Sequence, residues 1–154
     1  MSAGNSNRWP KMTGREEFRF LADLVFTRSS GDETIVTLHD VHSGTARFAN
    51  NQVVQNVDTR RGTLAMTVAF GRRHGTASTT DFTAGSIHDT LARAERIAQI
   101  SPEDPEYLPP PEPFPFVARD TARPETTTAG SARRLEYVNE AIGHCRMENL
   151  LAAG

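Results

Sequence analysis

The chain has 154 residues, 37% of them hydrophobic, which is enough for one ordinary domain with a lean core. Its 17 basic and 19 acidic residues leave a net charge of −2, which argues against a nucleic-acid module held by clustered positive charge. No apolar run approaches the roughly 20 residues needed to span a bilayer, and a single cysteine, Cys145, excludes an internal disulfide and a four-cysteine zinc site.

Residues 1–12 are small and polar, without the apolar stretch of a secretory leader, so a frayed tail and a cytoplasmic protein are expected. Thr13 stands three before Glu16, the spacing of a capping box. Phe18, Leu21, Ala22 and Val25 then recur as one apolar stripe, predicting a helix over 13–27 that Ser29-Ser30-Gly31-Asp32 ends. The period next changes from 3.6 to 2. Glu33 to His39 reads as a strand, Asp40 to Gly44 as a turn, and Thr45 to Asn50 as a second strand. Val53 to Val57 alternates, Thr59-Arg60-Arg61-Gly62 reads as a tight connection, and Leu64, Met66, Val68 and Phe70 form the cleanest alternation. Gly71 to Gly75 is a glycine-bounded turn leading into Thr76 to Thr80. Short connections imply antiparallel pairing, so a meander of four or five strands is expected.

Ile87, Leu91, Ala94, Ile97 and Ala98 recur at helical spacing, with Thr83 or Ser86 available to cap and Pro102 to stop the helix. Seven of the nine prolines fall within Pro102 to Pro115, so Ser101 to Phe116 reads as an extended strap. Tyr107, Leu108, Phe114 and Phe116 are its candidate anchors. Arg119 to Gly130 is expected to be loop. Leu135, Val138, Ile142 and Cys145 mark a last helix over 130–148. The fold class that follows is α+β: a single domain over 13–154, with helices packed on one face of an antiparallel meander and a proline-rich strap before the last helix.

Reactive side chains do not assemble into a catalytic motif. His39 and His42 are the close histidine pair, but at a strand end and turn they read as solvated. His144 and Cys145 are neighbours on a helix and point about 100° apart, so they do not form a nucleophile and base. Ser78 to Asp81 reads as an edge strand running into a helix cap, since no base is placed for Ser78 or Thr79. The glycine-flanked Arg72-Arg73 pair could cradle an anion, but a hairpin turn accounts for it, and Arg60-Arg61 reads as a solvated turn. More suggestive is the amide density around Arg47, Asn50, Asn51, Gln52, Gln55 and Asn56, because amides are poor strand formers. Each offers a donor and an acceptor to a peptide backbone, and an open sheet edge can add a strand. A wet sheet face with a bulge at Asn50-Asn51 is the alternative.

The segment Arg47-Phe-Ala-Asn-Asn-Gln-Val-Val-Gln-Asn56, followed by Gly71-Arg-Arg-His-Gly-Thr-Ala-Ser-Thr-Thr-Asp81 and a helix containing Ala-Arg-Ala-Glu-Arg-Ile-Ala98, resembles the N-terminal domain of the TldD/PmbA family. That family is associated with modulation of DNA gyrase and with zinc metallopeptidase activity. The resemblance covers residues 14–154, with its specific motifs in 47–56 and 71–100. It implies a zinc carried by a His-Glu-x-x-x-His-type helix and a cysteine in a longer C-terminal region, so this chain is expected to be an N-terminal piece with no cofactor, metal ligand or catalytic residue of its own. It further implies an unfolded peptide or protein as substrate and a homologous or paralogous subunit as dimer partner, with neither nucleic acid nor membrane as a direct partner.

The expected function is therefore a non-catalytic peptide-handling and dimerisation domain serving proteolysis, with Arg47, Asn50, Asn51, Gln55 and Asn56 as the peptide-binding residues. The alternative is a stand-alone interaction module with no proteolytic link, which would offer the acidic strap (Glu103, Asp104, Glu106, Glu112) to a partner's groove.

Overall fold

The computed structural model describes residues 13–112, 115, 117, 119, 121 and 123–154. The expected tail over 1–12, and Phe114 and Phe116 of the strap, lie outside the described residues. Helix α1 (Arg15–Phe26) buries Leu21, Ala22 and Val25, three of the four residues of the apolar stripe. Its N-cap is Gly14, which makes no side-chain cap bond. The expected capping box is absent because Thr13 lies one residue before the cap, where its amide donates to Asp40 Oδ2 at 2.7 Å.

Three strands follow: β1 (Glu33–Ala49), β2 (Gln52–Phe70) and β3 (Arg73–Thr79), hydrogen-bonded in the order β1-β2-β3. The expected four or five strands are corrected to three. Asp40 to Gly44 and Thr59 to Gly62 carry turn-forming residues but lie inside single strands of 17 and 19 residues. From one strand to the next, the chain reverses where the backbone is pushed into the left-handed region. Asn50 (φ 50°) and Asn51 (φ 59°) do this between β1 and β2, and two consecutive positive φ values are those of a type I′ hairpin turn. The β1–β2 reversal is therefore this turn and not a bulge in a continuous strand. Gly71 (φ 59°) does the same between β2 and β3. Phe70 pairs with Arg73 across that second turn, and the antiparallel register runs to Leu64 with Thr79, so Arg73 to Gly75 belong to β3 and not to the turn.

Helix α2 (Ala84–Ile100) is capped by Thr83, whose hydroxyl accepts from the Ser86 amide at 3.4 Å. It stops at Ser101, which is extended (φ −68°, ψ 146°) ahead of Pro102. The segment expected to be loop contains one helical turn, α3 (Pro124–Thr127), because Pro124 sits at its start, where a missing amide costs nothing. Helix α4 (Ser131–Met147) closes the series. Among the described residues no helix is long and apolar enough to cross a membrane.

The chain divides into two compact units, Met1–Val41 with Arg61–Pro113 and His42–Arg60 with Phe114–Gly154, each taken over its described residues. In the first unit Leu64, Met66 and Val68 of β2 are fully buried against Leu21 and Val25 of α1 and Ile87, Leu91 and Ala94 of α2. The intervening Thr67 faces the other way, and its hydroxyl lies 2.8 Å from that of Thr76 on β3. Gly75 explains how closely α2 approaches β3: a Cβ there would come within 2.4 Å of the Ala94 carbonyl oxygen and the Ala98 nitrogen. The strap is tied to the second hairpin turn by bonds from the Asp104 amide to the Arg72 carbonyl (2.9 Å) and from Arg72 Nε to the Asp104 carbonyl (3.0 Å). In the second unit Val138, Ile142 and Ala152 form a small core with Ala46, Phe48 and Cys145 around it.

Gly75→Ala should lower stability by about 1–3 kcal/mol, since the neighbours that must yield are backbone. Gly143→Ala should instead raise it by up to about 1 kcal/mol, because a helical glycine with nothing within 4 Å leaves room for the methyl. Urea unfolding of the two variants tests both signs.

Candidate functional site

The amide-rich segment becomes a defined structure in the second unit. Helix α4 ends with Asn149 in the left-handed conformation (φ 53°). The Leu150 amide donates to the Cys145 carbonyl at 2.7 Å and the Asn149 amide to the Arg146 carbonyl at 3.2 Å. This bond pair is the Schellman termination, which reverses the chain as the helix ends. Residues 150–154 then run beside the first hairpin. The Phe48 amide donates to the Gly154 carbonyl and the Gly154 amide to the Phe48 carbonyl, both at 2.9 Å. Such a reciprocal pair is an antiparallel bridge, made on the side of β1 away from β2.

Asn51 fastens this arrangement. Its side-chain Nδ2 donates to the Leu150 carbonyl at 3.0 Å, and its Oδ1 accepts from the Ala152 amide at 2.7 Å. Its own carbonyl accepts from Arg146 Nη2 at 2.7 Å. One residue thus supplies the left-handed turn backbone and the clamp, because asparagine tolerates positive φ and carries both a donor and an acceptor.

Asn56 acts further along β2. Its Nδ2 donates to the Ser131 carbonyl at 3.2 Å, and its Oδ1 accepts from Arg134 Nη2 at 3.3 Å. Arg134 Nη2 also meets Asp58 Oδ1 at 2.8 Å, with both side chains less than a fifth exposed. Gly44 leaves the space the guanidinium needs, since a Cβ there would overlap it. Of the five residues expected to bind peptide, Asn51 and Asn56 therefore engage α4 and the returning segment. Arg47, Asn50 and Gln55 are exposed. Arg134, Arg146, Asp58 and Gly44 complete the site and were missed. Gly44 inside an otherwise strand-forming run was the available signal, since glycine in a strand marks a close approach.

The remaining candidates are occupied by ordinary contacts. His42 Nε2 lies 3.8 Å from Asp58 Oδ1, and His39 is exposed three residues away. Thr79 Oγ1 donates to the Asp81 carbonyl and accepts from the Asp81 amide, and the Asp81 carboxylate accepts from the Thr83 amide, so this run builds the entry to α2. At the second hairpin turn the Gly71 amide donates to Asp32 Oδ2 at 2.8 Å, and Arg73 faces Glu103 at 3.7 Å, so carboxylates of the chain already meet those donors. Cys145 packs against the small core as a half-buried thiol, while its neighbour His144 is exposed. In the first unit the His74 ring stacks on Tyr107 with centroids 5.2 Å apart, and the Tyr107 hydroxyl donates to Glu33 at 2.8 Å. Burial, reinforced by that carboxylate, pushes the Tyr107 hydroxyl up to about 12.

The fold and this site define an α+β domain whose hairpin holds an extended chain segment on its outer edge. Residues 36–98 match PmbA/TldA metallopeptidase domain 1, the family that the sequence motifs resemble. A solved structure, TldE from Thermococcus kodakarensis, superposes with a TM-score of 0.70 at 15% identity, covering 84% of this chain and 28% of the TldE chain. This chain thus spans little more than a quarter of TldE's length, and that likeness speaks to the fold alone. No curated protein matches the chain. The zinc implied by the family does not fit the described residues, among which no group of three or more His, Cys, Asp or Glu side chains could hold a metal.

Asn51→Gly keeps the turn but removes both side-chain bonds, and should cost about 1–3 kcal/mol. Asn51→Ala should cost about 1–2 kcal/mol more, because alanine resists the left-handed region. Amide hydrogen exchange at Phe48 and Gly154 should accelerate in both variants while the buried strand Leu64 to Val68 is unaffected.

Proposed function

We propose that the chain is a non-catalytic peptide-handling and dimerisation domain of a TldD/PmbA-like metallopeptidase acting in proteolysis. It holds an unfolded peptide along the outer edge of β1, and hydrolysis belongs to a zinc-bearing region elsewhere in a longer protein or in a partner subunit. The observation that supports this is the reciprocal Phe48–Gly154 backbone pair, in which the edge of β1 accepts extended backbone independently of side-chain identity. A domain serving varied unfolded substrates needs that property, since main-chain bonds give affinity and neighbouring side chains tune it.

The pairing also sets which groups a peptide would meet. Phe48 presents its amide and carbonyl outward, and in an antiparallel strand every second residue does the same. Ala46 and Gly44 therefore turn their amides to the edge, while Thr45 and Arg47 turn theirs to β2. Arg47 and Gln55, both exposed, are the side chains that steady the bound backbone, and Asn50 contributes from the turn. An outer edge of this kind, with Met147, Leu150 and Leu151 exposed in the same unit, also suits pairing with a homologous or paralogous subunit.

Ala46→Pro removes one outward amide while leaving the β1–β2 ladder intact, and proline is tolerated on an edge in that position. It should weaken binding of a fluorescein-labelled, reduced and carboxymethylated protein about tenfold, as loss of one or more backbone bonds requires. The exposed pair Arg47→Ala/Gln55→Ala should weaken it with an unchanged urea midpoint. Unaltered anisotropy titrations in both variants would remove the proposal.

A further inference from the structure

A second binding feature lies in the first unit and is independent of the edge of β1. Thr13, Glu16, Glu17, Phe20 and Leu21 of the α1 region, with Phe82 from the segment before α2, line an open cleft of about 440 Å³. This lies in the range of roughly 300–1,000 Å³ typical of sites that receive small ligands and side chains. Its floor is apolar. Leu21 is buried and Phe82 half-buried, but Phe20 stands 65% exposed.

The two carboxylates at its mouth are placed by helix geometry. Glu16 precedes Phe20 by four residues and Glu17 precedes Leu21 by four, so each acid lies one turn from an apolar side chain on the same helix face. Neither carboxylate makes an ion pair or hydrogen bond among the described residues. Acids in the first turn favour the helix start, which accounts for their sign but not for an exposed phenylalanine and an open apolar cleft beneath them. The combination is complementary to a group with a cationic head and an apolar body.

We propose that this cleft takes a peptide segment in which an arginine or lysine neighbours a bulky apolar residue. The apolar side chain fills the space between Phe20 and Phe82. The aliphatic stem of the basic residue lies along α1 and carries its charge to Glu16 and Glu17, the usual disposition of a long cationic side chain on an apolar surface. Arginine suits the site better than lysine, because its planar fork engages two carboxylates and stacks on an aromatic ring.

The test uses two tetrapeptides, acetyl-Gly-Arg-Phe-Gly-amide and acetyl-Gly-Glu-Phe-Gly-amide, titrated into the ¹⁵N-labelled full chain. The arginine peptide should shift the amides of Thr13, Glu17, Leu21 and Phe82, less so at high salt, and the glutamate peptide should not. Glu16→Gln/Glu17→Gln should weaken the arginine peptide about fivefold, the effect of two exposed ion pairs. Phe20→Ala, a change at an exposed position that leaves the core intact, should weaken it as well. Equal shifts from both peptides, shifts confined to other surfaces, or no shift at millimolar peptide would overturn the proposal. So would full binding by the two variants.

Discussion

The second unit depends on a single left-handed turn. A type I′ hairpin turn needs positive φ at both of its central positions, and Asn50 and Asn51 supply it. Because Asn51 also bonds the Leu150 carbonyl and the Ala152 amide, the residue that reverses the chain also fixes where the C-terminal segment lies. Without that clamp the small core of Val138, Ile142 and Ala152 would lose Ala152, which the returning segment contributes. A core of three buried residues has little to spare, and polar fastening by Asn51, Asn56, Arg134 and Arg146 does here what apolar burial does in the first unit.

The first unit has the opposite character. Leu64, Met66 and Val68 are fully buried beneath two amphipathic helices, and the approach of α2 to β3 leaves no room for a side chain at Gly75. Its periphery is polar, with Glu95 accepting from the Ser30 amide and hydroxyl and Asp32 from the Gly71 amide. These contacts tie the loop before β1 and the second hairpin turn, at one end of the sheet, to their neighbours. They also leave the exposed strand face, with its Thr67–Thr76 pair, outside the core.

Legibility in the sequence followed the strength of the physical signal. The α+β class, all three long helices and the buried run Leu64 to Val68 were readable because periodicity reports burial directly. The strand count was not. Asp40, Ser43, Gly44, Arg60, Arg61 and Gly62 have turn chemistry, but their strands continue because Gly44 makes room for Arg134 and Asp58 pairs with it, contacts between residues far apart in the chain. The Asn-Asn dipeptide carried a turn signal that its place in an amide-rich, strand-like run obscured. For the candidate site, the segment was legible as unusual, and the motifs carried the likeness to the domain matched over residues 36–98. That Asn51 and Asn56 would serve α4 and the chain's own returning segment, while Arg47, Asn50 and Gln55 remain exposed, could not be read without the fold.

The proposed role requires the outer edge of β1 to take up extended backbone. Residue-resolved hydrogen exchange of the full chain, with and without an unfolded peptide, addresses it directly. Added peptide should slow exchange at the outward-facing amides of Ala46 and Gly44 and leave those of Thr45 and Arg47, already bonded to β2, unchanged. Protection that ignores this alternation, or falls only on the helices, would contradict it.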